Sequence, residues 1–191
     1  MKMLVILRDE LGTRFDSIKP GDKPDFVVEH RGSVVGIEVT DGSTEEFRRG
    51  MKLAEAEGLR AFSMDGFEDR DKSNQRSPLE LLEAMQDTGC SDVETSAIAW
   101  ASRIAKRISR KCELLQKGEI KRQNSNWLLI YDFRSDDRSL AIDRYRDMLL
   151  GVLGPSPMLR KTFDVIYILS FDHLIMIAST FTHGHKRTRH Q

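Results

Sequence analysis

The hydrophobic positions of this chain change period several times, and each change marks an element. Between residues 3 and 18, Met3, Leu4, Leu7, Leu11, Phe15 and Ile18 recur at helical steps, although Met3–Leu7 also reads as a strand. Lys19 to Pro24 has the composition of a loop. Asp25–Glu29 then alternates polar and apolar residues, Arg31-Gly32-Ser33 supplies a turn, and Val34–Thr40 runs back with β-branched residues. That pattern predicts a β-hairpin. Ser43 or Thr44 ahead of Glu45-Glu46 predicts a helix start, with the helix running to about Glu57 and stopping near Gly58. Residues 63–77 are polar and aperiodic and read as a mobile surface loop, after which Ser77-Pro78 with Glu80 opens a short helix ending at Gly89. A long amphipathic helix is expected from about Val93 to Gln116, with Ala97, Ile98, Ala101, Ile104, Ala105, Ile108, Cys112 and Leu115 in one stripe. Trp127–Phe133 is a continuous apolar run that suits a strand buried on both faces. A helix from Asp136 or Ser139 to Gly154-Pro155 and two strands, Phe163–Ser170 and His173–Ser179, follow. The expected fold is α/β, a mixed central sheet with flanking helices, in one domain over 1–182. The basic tail 183–191 is expected to be disordered.

Two acids disturb this pattern. Asp25 stands at the mouth of the hairpin after Pro24, and Glu38 lies between Ile37 and Val39 in the apolar return strand. A carboxylate there is costly unless it is paired, hydrogen-bonded or on a metal. The strand period puts Gly36, Glu38 and Thr40 on one face, and the hairpin twist can bring Asp25 and Glu38 together into an oxygen-rich site for a hard cation. The alternative is that Asp25 caps a turn and Glu38 faces solvent.

The order P-D, a hairpin of about a dozen residues, then G-I-E-V-T resembles the PD-(D/E)xK, restriction-endonuclease-like nuclease superfamily. The resemblance covers roughly residues 1–135. It implies a core of helix, β-hairpin, crossover helix and strand, with Asp25 as the motif aspartate and Glu38 as the motif glutamate. It also implies Mg²⁺ or Mn²⁺ held by Asp25, Glu38 and the Val39 carbonyl, with Glu10 from the N-terminal helix completing the set, the alternative being that Glu10 lies on a solvated helix face. Thr40 stands where the motif lysine belongs, and some branches of the superfamily carry that lysine on a neighbouring element.

The long helix offers a replacement. On a helical wheel Lys111 falls inside the apolar arc, between Ile104 and Leu115, so it either snorkels to the core edge or reaches the metal site as the missing ammonium. Lys106 is the second choice and Lys117 the third. Arg103, Lys106, Arg107 and Arg110 fall outside the arc and form the best candidate surface for phosphates, the alternative being a solvated helix face. Glu29 and Asp41 are reserve acids.

Composition narrows the classes. The chain has 191 residues, 31% of them charged, with zero net charge, so a nucleic-acid footprint must be local. Cys90 and Cys112 are too few for a disulfide framework or zinc site, and His183 and His185 sit in a tail with no fixed partner. No signal peptide, membrane-spanning run, P-loop, dinucleotide fingerprint or serine-hydrolase elbow is legible, which leaves a cytoplasmic protein as the expectation. The resemblance thus implies a metal-dependent nuclease acting on DNA, catalytic through Asp25, Glu38 and Lys111. A catalytically inactive nuclease-fold module for binding or regulation is the alternative. A single-domain nuclease that cuts both strands is expected to act as a homodimer, though no residue pattern marks an interface.

Overall fold

The computed structural model describes residues 12, 14–59, 67, 74–86, 93–132, 142–154, 161–170 and 173–178. Six strands form one sheet in chain order: β1 (Ser17–Pro20), β2 (Phe26–His30), β3 (Ser33–Asp41), β4 (Ser125–Asp132), β5 (Val165–Ser170) and β6 (His173–Ala178). The first three pair antiparallel, β3–β4 and β4–β5 pair parallel, and β5–β6 close the sheet antiparallel. The parallel steps need crossovers. The first contains α1 (Glu45–Ala56), α2 (Pro78–Gln86) and α3 (Val93–Gln116), and the second contains α4 (Ile142–Leu153).

The helix ends follow local chemistry. The Phe47 amide donates to the Thr44 hydroxyl at 3.0 Å, and Gly58, at φ +72°, ends the turn after α1. Ser77 and Glu80 form a reciprocal cap ahead of α2, the Ser77 amide donating to Glu80 Oε2 at 2.7 Å.

α3 and α4 cover one sheet face. Trp100, Ile104, Ile108 and Leu115 from α3 and Leu149 from α4 bury against Leu128, Ile130, Ile166 and Ile168. Val28, Val35, Ile37, Trp127, Leu129 and Tyr167 form a second cluster on the opposite face. β4 therefore contributes to both clusters, which is why its apolar run is continuous rather than alternating. A third cluster joins α1 to α2 through Phe47, Leu81 and Met85.

Two expectations need correction. The helical spacing over residues 3–18 does not carry through Ser17. Ser17–Pro20 is an edge strand, paired from Ser17↔Glu29 to Pro20↔Phe26. The open edge of the hairpin offers a ladder that a short terminal segment cannot match with its own turns, and Pro20 is tolerated there because an edge residue need not donate. The loop accordingly begins at Gly21, while residues 1–11 lie outside the described set. The stretch 63–77, expected to be only a mobile loop, contains a core residue. Phe67 is buried edge-to-face against Phe47, with the Arg76 guanidinium over its ring. Most of that stretch, and the tail with His183 and His185, lie outside the described residues.

Candidate functional site

β3 and α3 build the site. Glu38 shares its sheet face with Gly36 and Thr40, and the register Glu38↔Leu128 and Thr40↔Ile130 makes that the face covered by α3. The side chain is 5% exposed. Lys111 Nζ donates to Glu38 Oε1 at 2.6 Å, from a side chain still 21% exposed. Oε2 is buried and accepts no hydrogen bond among the described residues. One carboxylate oxygen is thus paired with an ammonium, and the other is shielded from solvent with no partner among the described residues.

Asp25 lies one step beyond the last ladder pair, Phe26↔Ile37, and so sits across from Glu38. The Val39 amide donates to Asp25 Oδ2 at 2.7 Å. In an extended strand a residue's amide and carbonyl point to the same side, so the Val39 carbonyl is also directed toward Asp25 and away from β4. Gly36 makes room for this arrangement. A Cβ there would come within 2.9 Å of the Gln123 side chain and 3.1 Å of Pro24, so glycine lets Pro24 lie across β3 and places Asp25.

Desolvation pushes the Glu38 pKa above its ordinary value. The Lys111 hydrogen bond and charge pull it down, and the Asp25 charge pushes it up. The Asp25 backbone amide pulls it down again without closing a hydrogen bond to Oε2. Burial outweighs the lysine.

A second buried carboxylate lies at the end of β4. Asp132 is 1% exposed and accepts from Trp100 Nε1 at 2.7 Å and from Arg103 at 3.1 Å. Gly42 fits beside it, where a Cβ would meet Asp132 and Ile104 at 3.3 and 3.0 Å. Trp100, Arg103, Arg107 and Lys111 form one edge of α3. In order they reach Asp132, Asp132 again, the Ser43 carbonyl at 2.8 Å, and Glu38. The Asp132 pair thereby holds the helix at the axial position that puts Lys111 over Glu38. Asp132 was legible by the argument that singled out Glu38, since it too is an acid in an apolar strand.

The other expected residues scatter. Arg103 is 8% exposed and committed to Asp132, so its guanidinium does not lie on the surface. Arg107 is half-buried against Ser43, whereas Lys106 and Arg110 are exposed. Glu29 is exposed at the turn end of the hairpin, opposite Val34 and remote from Glu38. Asp41 accepts from the Ser43 amide at 2.6 Å, a local turn. Thr40 is half-buried on the Glu38 face. Glu10 lies outside the described residues.

No family model, curated protein or solved structure matches this chain. The site is therefore judged on its own chemistry. The carboxylates of Asp25 and Glu38, the latter with its buried Oε2 unpartnered among the described residues, and the Val39 carbonyl are hard-oxygen donors. Such donors fit a cation of the Mg²⁺ class, which keeps several waters and needs only one or two carboxylates. Among the described residues no cluster of three or more histidine, cysteine or acidic side chains could hold a metal. No helix among them is long and apolar enough to cross a membrane.

Proposed function

We propose that the protein is a divalent-metal-dependent nuclease that hydrolyses phosphodiester bonds, with DNA as substrate and with the β2–β3 hairpin and α3 as its active site. The observation that carries this reading is Glu38, with Lys111 on one oxygen and the other buried beside Asp25 with no hydrogen bond among the described residues. A purely structural ion pair would satisfy both oxygens, whereas this one leaves a buried oxygen without a hydrogen bond among the described residues, under a lysine still 21% exposed. The β2–β3 hairpin, the crossover through α3 and the parallel β4 support this reading, since hairpin, crossover helix and strand are three of the four parts the resemblance implies; the N-terminal helix lies outside the described residues.

Asp25, Glu38 and the Val39 carbonyl would hold the ion, which supplies Lewis acidity toward a phosphoryl oxygen and toward water. The protein's own contribution is positional. The Val39 amide fixes the Asp25 carboxylate, and the Lys111 ammonium keeps Glu38 ionisable despite burial. That ammonium also faces the site with positive charge, where negative charge grows on the phosphate as a water oxygen bonds to phosphorus. The proton of that water passes to solvent and the P–O bond to the leaving strand breaks, the departing oxygen taking a proton from solvent. Lys111 thus stands in for the lysine that Thr40 displaces from the strand.

The test is Mn²⁺ titration calorimetry of wild type, Asp25→Ala and Glu38→Ala, together with cleavage of supercoiled plasmid. Binding and nicking by wild type, both lost in each variant while folding is retained, is the expected result. Absence of Mn²⁺ binding by wild type overturns the enzyme reading. The second reading, an inactive nuclease-fold module, is favoured by Thr40 and the zero net charge, and predicts neither metal-dependent stabilisation nor nicking.

A further inference from the structure

α3 and the turn that continues it, where the Lys117 amide still donates to the Glu113 carbonyl at 2.9 Å, carry two sets of cations. Arg103, Arg107 and Lys111 turn toward the sheet and are engaged there. Lys106, Arg110 and Lys117 turn away and line a groove of 790 Å³ between α3 and the end of α4. All three are exposed, and none is in an ion pair among the described residues, although Arg76, Arg144 and Arg146 each find an acid. Like charges one turn apart, as at Lys106 and Arg110, destabilise a helix. Glu113 also lines the groove, so three cations and one acid leave it doubly positive in a chain whose net charge is zero.

The spacing is that of a track. By helix geometry Lys106 and Lys117 stand about 16 Å apart along the axis, and all three cations fall within an arc of roughly 40°. Lys111 lies about 120° around the helix from the middle of that arc, so the groove is separate from the Glu38 site. The opposite wall, from α4, is aliphatic, with Leu153 and Val152, the latter 47% exposed, and Leu114 lies beside the cations on α3 itself. Cations along one side and apolar surface along the other match a strand whose phosphates and bases are both accessible. In a duplex the base faces are stacked away from such a wall.

We infer that this groove binds a single-stranded segment of nucleic acid, with phosphates on Lys106, Arg110 and Lys117 and bases against Leu114, Val152 and Leu153. The inference rests on the nuclease reading for its class of ligand. It adds that the substrate is gripped on a flank away from the scissile phosphate, and that the grip does not require the metal.

Fluorescence anisotropy in EDTA, with a labelled oligothymidylate of about 20 nucleotides over a salt series, tests it. Wild type should bind the single strand more tightly than a duplex of equal length. Lys106→Ala/Arg110→Ala/Lys117→Ala should lose at least about tenfold in affinity, and its log–log salt slope should fall by about 2, near 0.7 per lost phosphate contact. The three exposed substitutions should leave the melting temperature and Mn²⁺ binding unchanged. If the triple variant is poorly folded, Lys106→Ala and Lys117→Ala singly should each lower the slope by about 0.7. Unchanged affinity, a weaker complex with an unchanged slope, tighter duplex binding, or displacement of the oligonucleotide by equimolar polyglutamate would each overturn the assignment. The polyglutamate result would point to an acidic protein partner instead. Failure of the nuclease reading is read separately, as absent Mn²⁺ binding with strand binding intact.

Discussion

Glu38 and Asp132 are both acids in buried strands, both face α3, and both meet a cation from it, yet they end in different states. Asp132 has an indole N–H on one oxygen and a guanidinium on the other, so both of its oxygens accept a hydrogen bond. Glu38 has one ammonium, an orphaned second oxygen and a pKa pushed up by burial. The difference separates a carboxylate that holds elements together from one that is kept available. Burial and charge alone do not distinguish the two. The count of satisfied oxygens does.

The largest expected effect breaks the satisfied partner. Asp132→Ala strands the Arg103 guanidinium and the Trp100 N–H inside the protein, and should cost about 3–5 kcal/mol in urea unfolding. A loss below about 1 kcal/mol would show that the pair is not the anchor of α3.

Lys111→Ala should cost less, about 1–3 kcal/mol, because the abandoned Glu38 can take up a proton. Glu38→Gln/Lys111→Met should recover that loss or exceed wild-type stability, since replacing both partners of a buried pair is often neutral or stabilising. A double variant no more stable than Lys111→Ala would contradict the claim that Glu38 is held there at a cost.

Metal sharpens the contrast further. Mn²⁺ at about 100 times its Kd should stabilise wild type by about 2.7 kcal/mol in thermal melts and leave Glu38→Gln unmoved. Equal stabilisation of both would place the ion elsewhere.

The pH dependence is smaller, and its sign follows from the raised pKa. Below the ordinary glutamate value, near 4.5, Glu38 is protonated in both folded and unfolded chains and contributes no slope. Above it the folded chain retains a proton that the unfolded chain releases, so stability falls as pH rises through the window up to the folded pKa, then levels. Melts across that window should show wild type declining relative to Glu38→Gln, while Mn²⁺ affinity rises over the same range as the proton is displaced. A flat difference between the two proteins would mean that burial does not govern Glu38. As a control outside both carboxylates, Thr44→Ala removes the α1 cap and should cost about 1 kcal/mol with no change in Mn²⁺ binding.

Much of this was written locally in the chain. The hairpin, the cap at Ser77–Glu80, the bounds of α3 and the doubly buried β4 all follow from period, turn chemistry and capping residues within a few positions of one another. Glu38 was conspicuous for the same reason, because an acid between Ile37 and Val39 breaks a short-range pattern. Even the inward placement of Lys111 follows from the wheel of its own helix.

What tertiary structure decided depends on partners far apart in sequence. Ser17–Pro20 is a strand because β2 offers an edge, and Phe67 is buried because Phe47 and Met85 leave a gap for it. Arg103 and Arg107, neighbours of Lys106 and Arg110 in a single basic run, are drawn inward by Asp132 and the Ser43 carbonyl. Which oxygen of Glu38 meets Lys111, and that the other accepts no hydrogen bond among the described residues, depends on the axial seating of α3 on the sheet. Local propensity sets the elements, but long-range packing chooses which polar atoms are left unsatisfied, and the chemistry of this site depends on that choice.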